Sequence, residues 1–317
     1  MADQSILSSR AIAGMYFARL ETNPGLAWVE GVSNMFNSDQ GSETYAFLGQ
    51  SPAFREWIGG RQVKSLRDSS LIISNKHYEA SLEIAKKDVR RDKTGQIMVR
   101  VQEFADRAVT HWASLLTTLI LDGPSTVCYD GQFYFDTDHV EGDSGSQSND
   151  ITVDISVFDS TRDSVTNPTN LQAQVVIGKC IEKILSFKDD RGEPMNENAM
   201  SFLVVVPVGL YIPFLAAINV LATAAMSQNI NPSLVKPGMV IDVQMNPRLT
   251  WTDSVAVFRT DSPIKGLIRQ TEQEVELKIK AEGSEYEFDN DAWQFGIDSW
   301  RNVGYGYWQR AVFAIMI

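Results

Sequence analysis

Between Gln96 and Leu121, the residues Ile97, Val101, Phe104, Ala108, Trp112, Leu115 and Leu119 recur at three- and four-residue spacing, which puts one apolar stripe on one helix face. Such a helix is about 35 Å long, and Gly123-Pro124 beyond it is a stop signal. The stretch ahead of it, RQVKSLRDSSLIISNKHYEASLEIAKKDVRRDKTG from Arg61 to Gly95, is polar and reads as a ribbon. Within it Tyr78, Ala80, Leu82 and Ile84 alternate with Glu79, Ser81 and Glu83, the pattern of a half-exposed strand. The LIIS run before Asn75 is its expected hairpin partner. A hairpin with so little apolar surface has no core of its own, so it must lie over a larger neighbour or over another copy of the chain.

A chain of 317 residues with 44% apolar composition can build one large domain or two of ordinary size. Its formal charge of -12 argues against a free nucleic-acid binder, because phosphate affinity needs concentrated Lys and Arg. Cys128 and Cys180 form neither a disulfide framework nor a C-x-x-C metal pattern, and read as reduced, buried thiols. The first 30 residues hold no charged leader with an apolar core, which argues against secretion. Pro207, Pro213 and Asn219 interrupt the apolar stretch from Phe202 to Met226, which reads as a buried strand and helix rather than a membrane span.

In chain order, residues 1 to 24 read as a helical arm with Ile12, Met15, Tyr16 and Leu20 on one side, and LAWVEGVSNMFNS as a second helix. Trp28, Phe36, Tyr45, Phe47, Phe54 and Trp57 either plug satellite cores or dock the arm on a neighbouring subunit. Asp130-Gly131 marks a hairpin turn, and the stretch from Glu141 to Asp150, without an apolar residue, a surface loop. A helix follows Asn167-Pro168 with Leu171, Val175, Gly178, Ile181 and Leu185 on one side; SFLVVVP is a strand covered on both faces, and Pro207 opens the next helix. Strand character returns after Trp251, and the apolar C-terminal run should be paired in a sheet.

Candidate chemistry is sparse. Asp136, Asp138 and His139 form the one dense cluster with metal-ligand character, yet their spacing matches no standard signature. No H-E-x-x-H, G-x-S-x-G, G-x-G-x-x-G or Walker sequence accompanies them. The expectation is therefore no enzyme and no cofactor. An aromatic arm, a coreless hairpin, a long helix and an apolar terminus together suit a protein whose subunits clasp their neighbours.

In this order the segments FREWIGGRQVKSL, YEASLEIAKKDVRRDKTG, YDGQFYFDTDH, SFLVVVPVGL and WRNVGYGYWQRAVFA resemble the major head subunit family of Mu-like phages. That family has the tailed-phage major capsid protein fold, shared more distantly with encapsulin shells. The resemblance implies an α+β fold with an N-terminal arm (1–50), an extended β-hairpin loop (51–95), a peripheral domain with its spine helix (96–140), an axial domain (141–250) and returning peripheral strands (251–317). It also implies pentamers and hexamers in an icosahedral shell around double-stranded DNA, without sequence-specific binding or membrane association. Scaffolding, protease and portal proteins would assist, with assembly in the host bacterial cytoplasm and the virion as destination. Arg61, Lys64, Arg67 and Tyr78 on the ribbon are then expected at subunit contacts, with Glu272, Glu274 and Glu276, or the cluster Glu282, Glu285, Glu287 and Asp289, as acidic partners. An encapsulin-like compartment that encloses cargo protein is the alternative.

Overall fold

The computed structural model describes residues 8–23, 25–48, 68–92, 95–158, 164–224 and 238–317. Helices α1 (Ser9–Thr22) and α2 (Ala27–Val32) lead into strands β1 (Ser33–Asn37), β2 (Ser42–Leu48), β3 (Asp68–Ser74) and β4 (Lys76–Ala85). Next come α3 (Lys86–Arg91), α4 (Gln96–Leu121), the short strands β5 (His139–Val140) and β6 (Ser146–Gln147), then β7 (Asp150–Val153) and α5 (Asn170–Ser186). The chain continues through β8 (Ser201–Val206), α6 (Tyr211–Ala224), β9 (Val240–Met245), β10 (Ser254–Arg259) and β11 (Leu267–Lys280). It closes with α7 (Glu285–Asn290), β12 (Ala292–Tyr305) and β13 (Ala311–Met316).

Two sheets carry the architecture. A five-stranded sheet runs β7-β13-β10-β8-β9, and a four-stranded sheet runs β1-β11-β12-β4. The apolar C-terminal run is β13, paired on both sides by β10 and β7. SFLVVV is β8, held between β10 and β9 and buried from Phe202 to Val206. Among the described residues no helix is long and apolar enough to cross a membrane. The strands after Trp251 divide between the sheets, β10 and β13 in the first and β11 and β12 in the second.

The long helix has its expected bounds, and Ile97, Val101 and Ala108 of its expected stripe are buried, but over its second half the buried line is rotated by one residue. Ile97, Val101, Ala105 and Ala108 face a core made with α1 and the four-stranded sheet, and Ala113, Leu116 and Ile120 face the core of the five-stranded sheet. Phe104, Trp112, Leu115 and Leu119 are half-buried flankers. Phe104 packs at the side of this line, where its ring meets Tyr16 at 5.9 Å between ring centres. The same rotation occurs in α5: Ala173, Val176, Ile177, Cys180 and Ile184 are buried, Leu171 is exposed, and of the expected face only Ile181 is buried. Its start is a capping box, Thr169 with Gln172. The second arm helix stops at Val32, and the rest of that segment is β1, which pairs in parallel with β11.

The expected hairpin of LIIS with Tyr78–Ile84 does not form. β3 pairs with β2, and β4 pairs with β12 over ten residues from Lys76 to Ala85. The β4 alternation is as expected, and it explains the choice of partner: Ile84 lies opposite Trp293, Leu82 opposite Phe295 and Ala80 opposite Ile297, a far larger apolar match than LIIS offers. Asn75 is the corner between the sheets, its backbone N–H donating to Gly41 and its amide to the Gln40 carbonyl at 2.8 Å. Gly304 lets β3 cross β12 closely, since a Cβ there would sit 2.3 Å from Ile73 Cδ1.

The rotated stripe gives a direct test. Leu116→Ala should lower unfolding free energy by about 3 kcal/mol and Leu115→Ala by about 1 kcal/mol, read from urea unfolding midpoints; equal losses would contradict the observed face.

Candidate functional site

The tight turn at Asp130-Gly131 forms as expected, with Gly131 at φ 90° and the Gln132 N–H donating to Asp130 Oδ1 at 3.1 Å. It turns the Asp130 carboxylate inward, where Oδ2 lies 2.6 Å from His139 Nδ1 and Oδ1 accepts from Cys128 Sγ at 3.0 Å. His139 is fully buried, stacked on Trp308 at 4.0 Å between ring centres, with Nε2 3.1 Å from Asn149 Oδ1. The Asn149 amide is itself oriented: its Nδ2 donates to Tyr134 O at 2.8 Å and its Oδ1 accepts from the Asp136 N–H at 2.9 Å. So the stretch 141–150 is more than a surface loop, because its Asn149 closes the core below it.

The sequence cluster Asp136, Asp138 and His139 is therefore not a site. Asp136 binds the Phe133 and Thr137 backbone N–H groups, Asp138 is exposed, and only His139 turns inward. The groups that do converge are Cys128, Asp130 and His139, with ligand-type atoms within 4.8 Å of one another. A cation among them would sit roughly 2.0–2.3 Å from each ligand, but direct hydrogen bonds of 2.6 and 3.0 Å already occupy that space. Burial pushes the Cys128 thiol far up, the opposite of an activated nucleophile. Burial also pushes Asp130 up, but bonds from His139 and Cys128 outweigh it and hold the carboxyl below its ordinary value. Cys-x-Asp-Gly followed by a histidine was the available signal, and it lacks meaning until the turn is built.

A second polar network adjoins the first. Glu141 accepts from Trp308 Nε1 at 3.2 Å and from Tyr129, and burial raises it above its ordinary value. Asn196 donates to Ile184 O at 2.7 Å and Gln309 O at 2.9 Å and accepts from Arg259 at 3.0 Å and from Arg310. These bonds tie the 128–149 segment and the turn before β13 to the five-stranded sheet.

Of the expected contact residues, Arg61, Lys64 and Arg67 lie outside the described residues, as do Phe54 and Trp57. Tyr78 is half-buried, edge-on to His111 at 4.5 Å. Glu272, Glu274 and Glu276 are exposed, but β-bulges between Thr271 and Glu276 keep them from forming one regular row. Glu272 accepts from Asn75 at 3.0 Å and Glu276 from Gln273 at 2.7 Å. In the second acidic cluster, Glu282 accepts from the Ser9 N–H at 3.0 Å and Glu287 binds Lys86 at 2.6 Å, which leaves Glu285 and Asp289 exposed.

The family described as Mu-like prophage major head subunit gpT matches residues 17–159 and 245–315, about two thirds of the chain. The chain belongs to that family. It is 33% identical over 130 residues to the Mu-like prophage FluMu major head subunit of Haemophilus influenzae, covering 41% of this chain and 42% of that protein. It is 32% identical over 108 residues to the major capsid protein of Escherichia phage Mu, covering 34% of this chain and 35% of that protein. The alignments thus span about two fifths or less of these relatives. In structure, the bacteriophage JBD30 capsid chain matches with TM-score 0.53 at 16% identity over 92% of this chain and 65% of that one. The virus-like particle chain of Pyrococcus furiosus matches with TM-score 0.55 at 10% identity over 96% and 98%. The α+β fold is that of tailed-phage capsid chains.

Two outcomes follow from this geometry. Asp130→Ala strands the buried Cys128, His139 and Gln132 donors and should cost about 3 kcal/mol in urea unfolding, with EDTA leaving the wild-type midpoint unchanged. Glu287 is pulled to about 2, first by Lys86 and then by the Gly283 and Trp293 N–H groups. A folded value below the ordinary 4.5 means that its stabilisation is present above about pH 4.5 and lost as pH falls toward 2. Protection factors at α7, with the intrinsic exchange rate at each pH divided out, should fall across that window in wild type and stay flat in Glu287→Gln.

Proposed function

We propose that this chain is a major head subunit that assembles in many copies into an icosahedral shell around double-stranded phage DNA, with no catalytic role. The family match, joined to a capsid-chain fold over more than nine-tenths of the sequence, is the observation that carries this reading. The net charge of -12 suits a wall that must let densely packed DNA leave again. In this reading residues 1–50 are an arm, 51–95 the extended loop that reaches over a neighbour, 96–140 with the returning strands of 251–317 the peripheral domain, and 141–250 the axial domain around pentamer and hexamer centres. Scaffolding, protease and portal proteins are the expected helpers, and the host cytoplasm the place of assembly.

The reaching segment is basic at Arg61, Lys64 and Arg67, and the exposed carboxylates Glu272, Glu274 and Glu276 are its counterpart on the next copy. Negative-stain microscopy of purified protein should show closed shells or capsomers, whereas a lone 35.4 kDa particle under assembly conditions would contradict the head-subunit role. Charge reversal of the three basic residues should leave free capsomers or unassembled chains; shells of normal size would overturn the pairing. Particles filled with protein instead of DNA would favour a compartment shell.

A further inference from the structure

The tip of the long β11–β12 hairpin is α7, and it carries Phe288 with 90% of its surface exposed. Exposed Glu285 and Asp289 flank that ring on the same short helix. A phenyl ring left this bare forgoes about 2 kcal/mol of burial, and nothing within the fold explains it, because α7 packs through its other residues on β12 and Lys86.

Elsewhere in the same sheet lies a recess with the opposite character. Between α4 and the strands β4, β11 and β12 is a cavity of about 220 Å³, more than the ~150 Å³ that accepts benzene in an apolar protein cavity. Ala80, Ala108, Val275 and Ile297 supply its apolar wall. Arg107 and Arg301 supply its positive charge. Arg301 is buried, 5% exposed, with Nε donating to Ser299 Oγ at 2.9 Å and its guanidinium 4.9 Å from the Trp112 ring. Among the described residues neither arginine is in an ion pair with these wall groups, and Glu274 acts on Arg301 only from beyond bonding distance. Two carboxylates also line it: Asp298 is already taken by Lys278 at 2.9 Å and His77 at 3.5 Å, and exposed Glu79 accepts from Ser81 at 3.2 Å. With Asp298 held by Lys278, the two arginines outnumber the remaining wall carboxylate, Glu79, so the partly apolar recess keeps a positive excess in a chain with 40 acidic and 28 basic residues.

We propose that the α7 tip of a second copy of this chain docks there, with Phe288 entering the apolar recess and Glu285 and Asp289 meeting Arg107 and Arg301. Knob and recess lie on the same sheet but at different places, so the contact is head-to-tail, and repeated around an axis it generates a ring or a closed surface rather than a simple dimer. The contact rests on the many-copy reading above, which supplies the second copy. A phosphate backbone is a poorer occupant, because the recess is walled by four apolar side chains and joins an acidic molecule.

The test uses the full chain with Phe288→Cys and Ala80→Cys together. Ala80 is exposed at the recess, and the native Cys128 and Cys180 are buried and do not compete. On mild oxidation the double variant should give a ladder of covalent multimers on denaturing gels, and neither single variant should. Phe288→Ser, a change at an exposed ring, should keep the wild-type melting temperature and reduce shell yield at least tenfold. Shells without a ladder, or wild-type yield from Phe288→Ser, would overturn the docking while leaving the head-subunit role intact. A ladder from a chain that never forms shells would support the docking and contradict that role.

Discussion

One helix belongs to two cores. The first half of α4 packs Ile97, Val101, Ala105 and Ala108 against α1 and the four-stranded sheet, and its second half packs Ala113, Leu116 and Ile120 into the core of the five-stranded sheet. A rigid rod about 39 Å long shared in this way couples the sheets, since neither core can close without it. The C-terminal chain repeats the coupling, because β12 pairs in one sheet and β13 lies inside the other, with only the turn at Trp308 between them.

The buried polar hub sits at that turn. Trp308 stacks on His139 and donates to Glu141, while Asn149 joins the 128–149 segment to the start of β13 through the bond from Phe313 N–H to Asn149 O at 2.8 Å. Removing any one partner would leave unpaired groups in a low-dielectric interior, so the network fixes one geometry more than it adds net stability. What resembles a metal or catalytic cluster is in this view a latch. Its residues satisfy each other and leave no atom directed at a ligand.

Long elements were legible from the sequence: α4 had its bounds, β8 its two-sided burial, β13 its pairing and β4 its alternation. Helix faces were less so. Over the second half of α4 the two faces differ by one residue of rotation, and Ala105 and Ala113 take buried positions that a hydrophobicity count gives to Phe104 and Trp112. Strand partners were hidden for a different reason, since β4 prefers Trp293, Phe295 and Ile297, more than two hundred positions away, to the adjacent LIIS. The hub was invisible because a turn must first bring Asp130 to His139, and the acids flanking Phe288 read as ordinary solvated charge. The proposed assembly role rests on the family resemblance, since no local motif carries it.

Under the proposed head-subunit role the chain should be a finished body before it meets its neighbours, with assembly covering surfaces and leaving the two cores as they are. Hydrogen–deuterium exchange compared between unassembled chains and purified shells measures this directly. Added protection should appear at α7 and at the β4 and β11 residues lining the recess, while β8, β10 and β13 remain equally slow in both states. Strong new protection in β8, β10 or β13 on assembly would show that the body is completed by its neighbours, and would contradict the account.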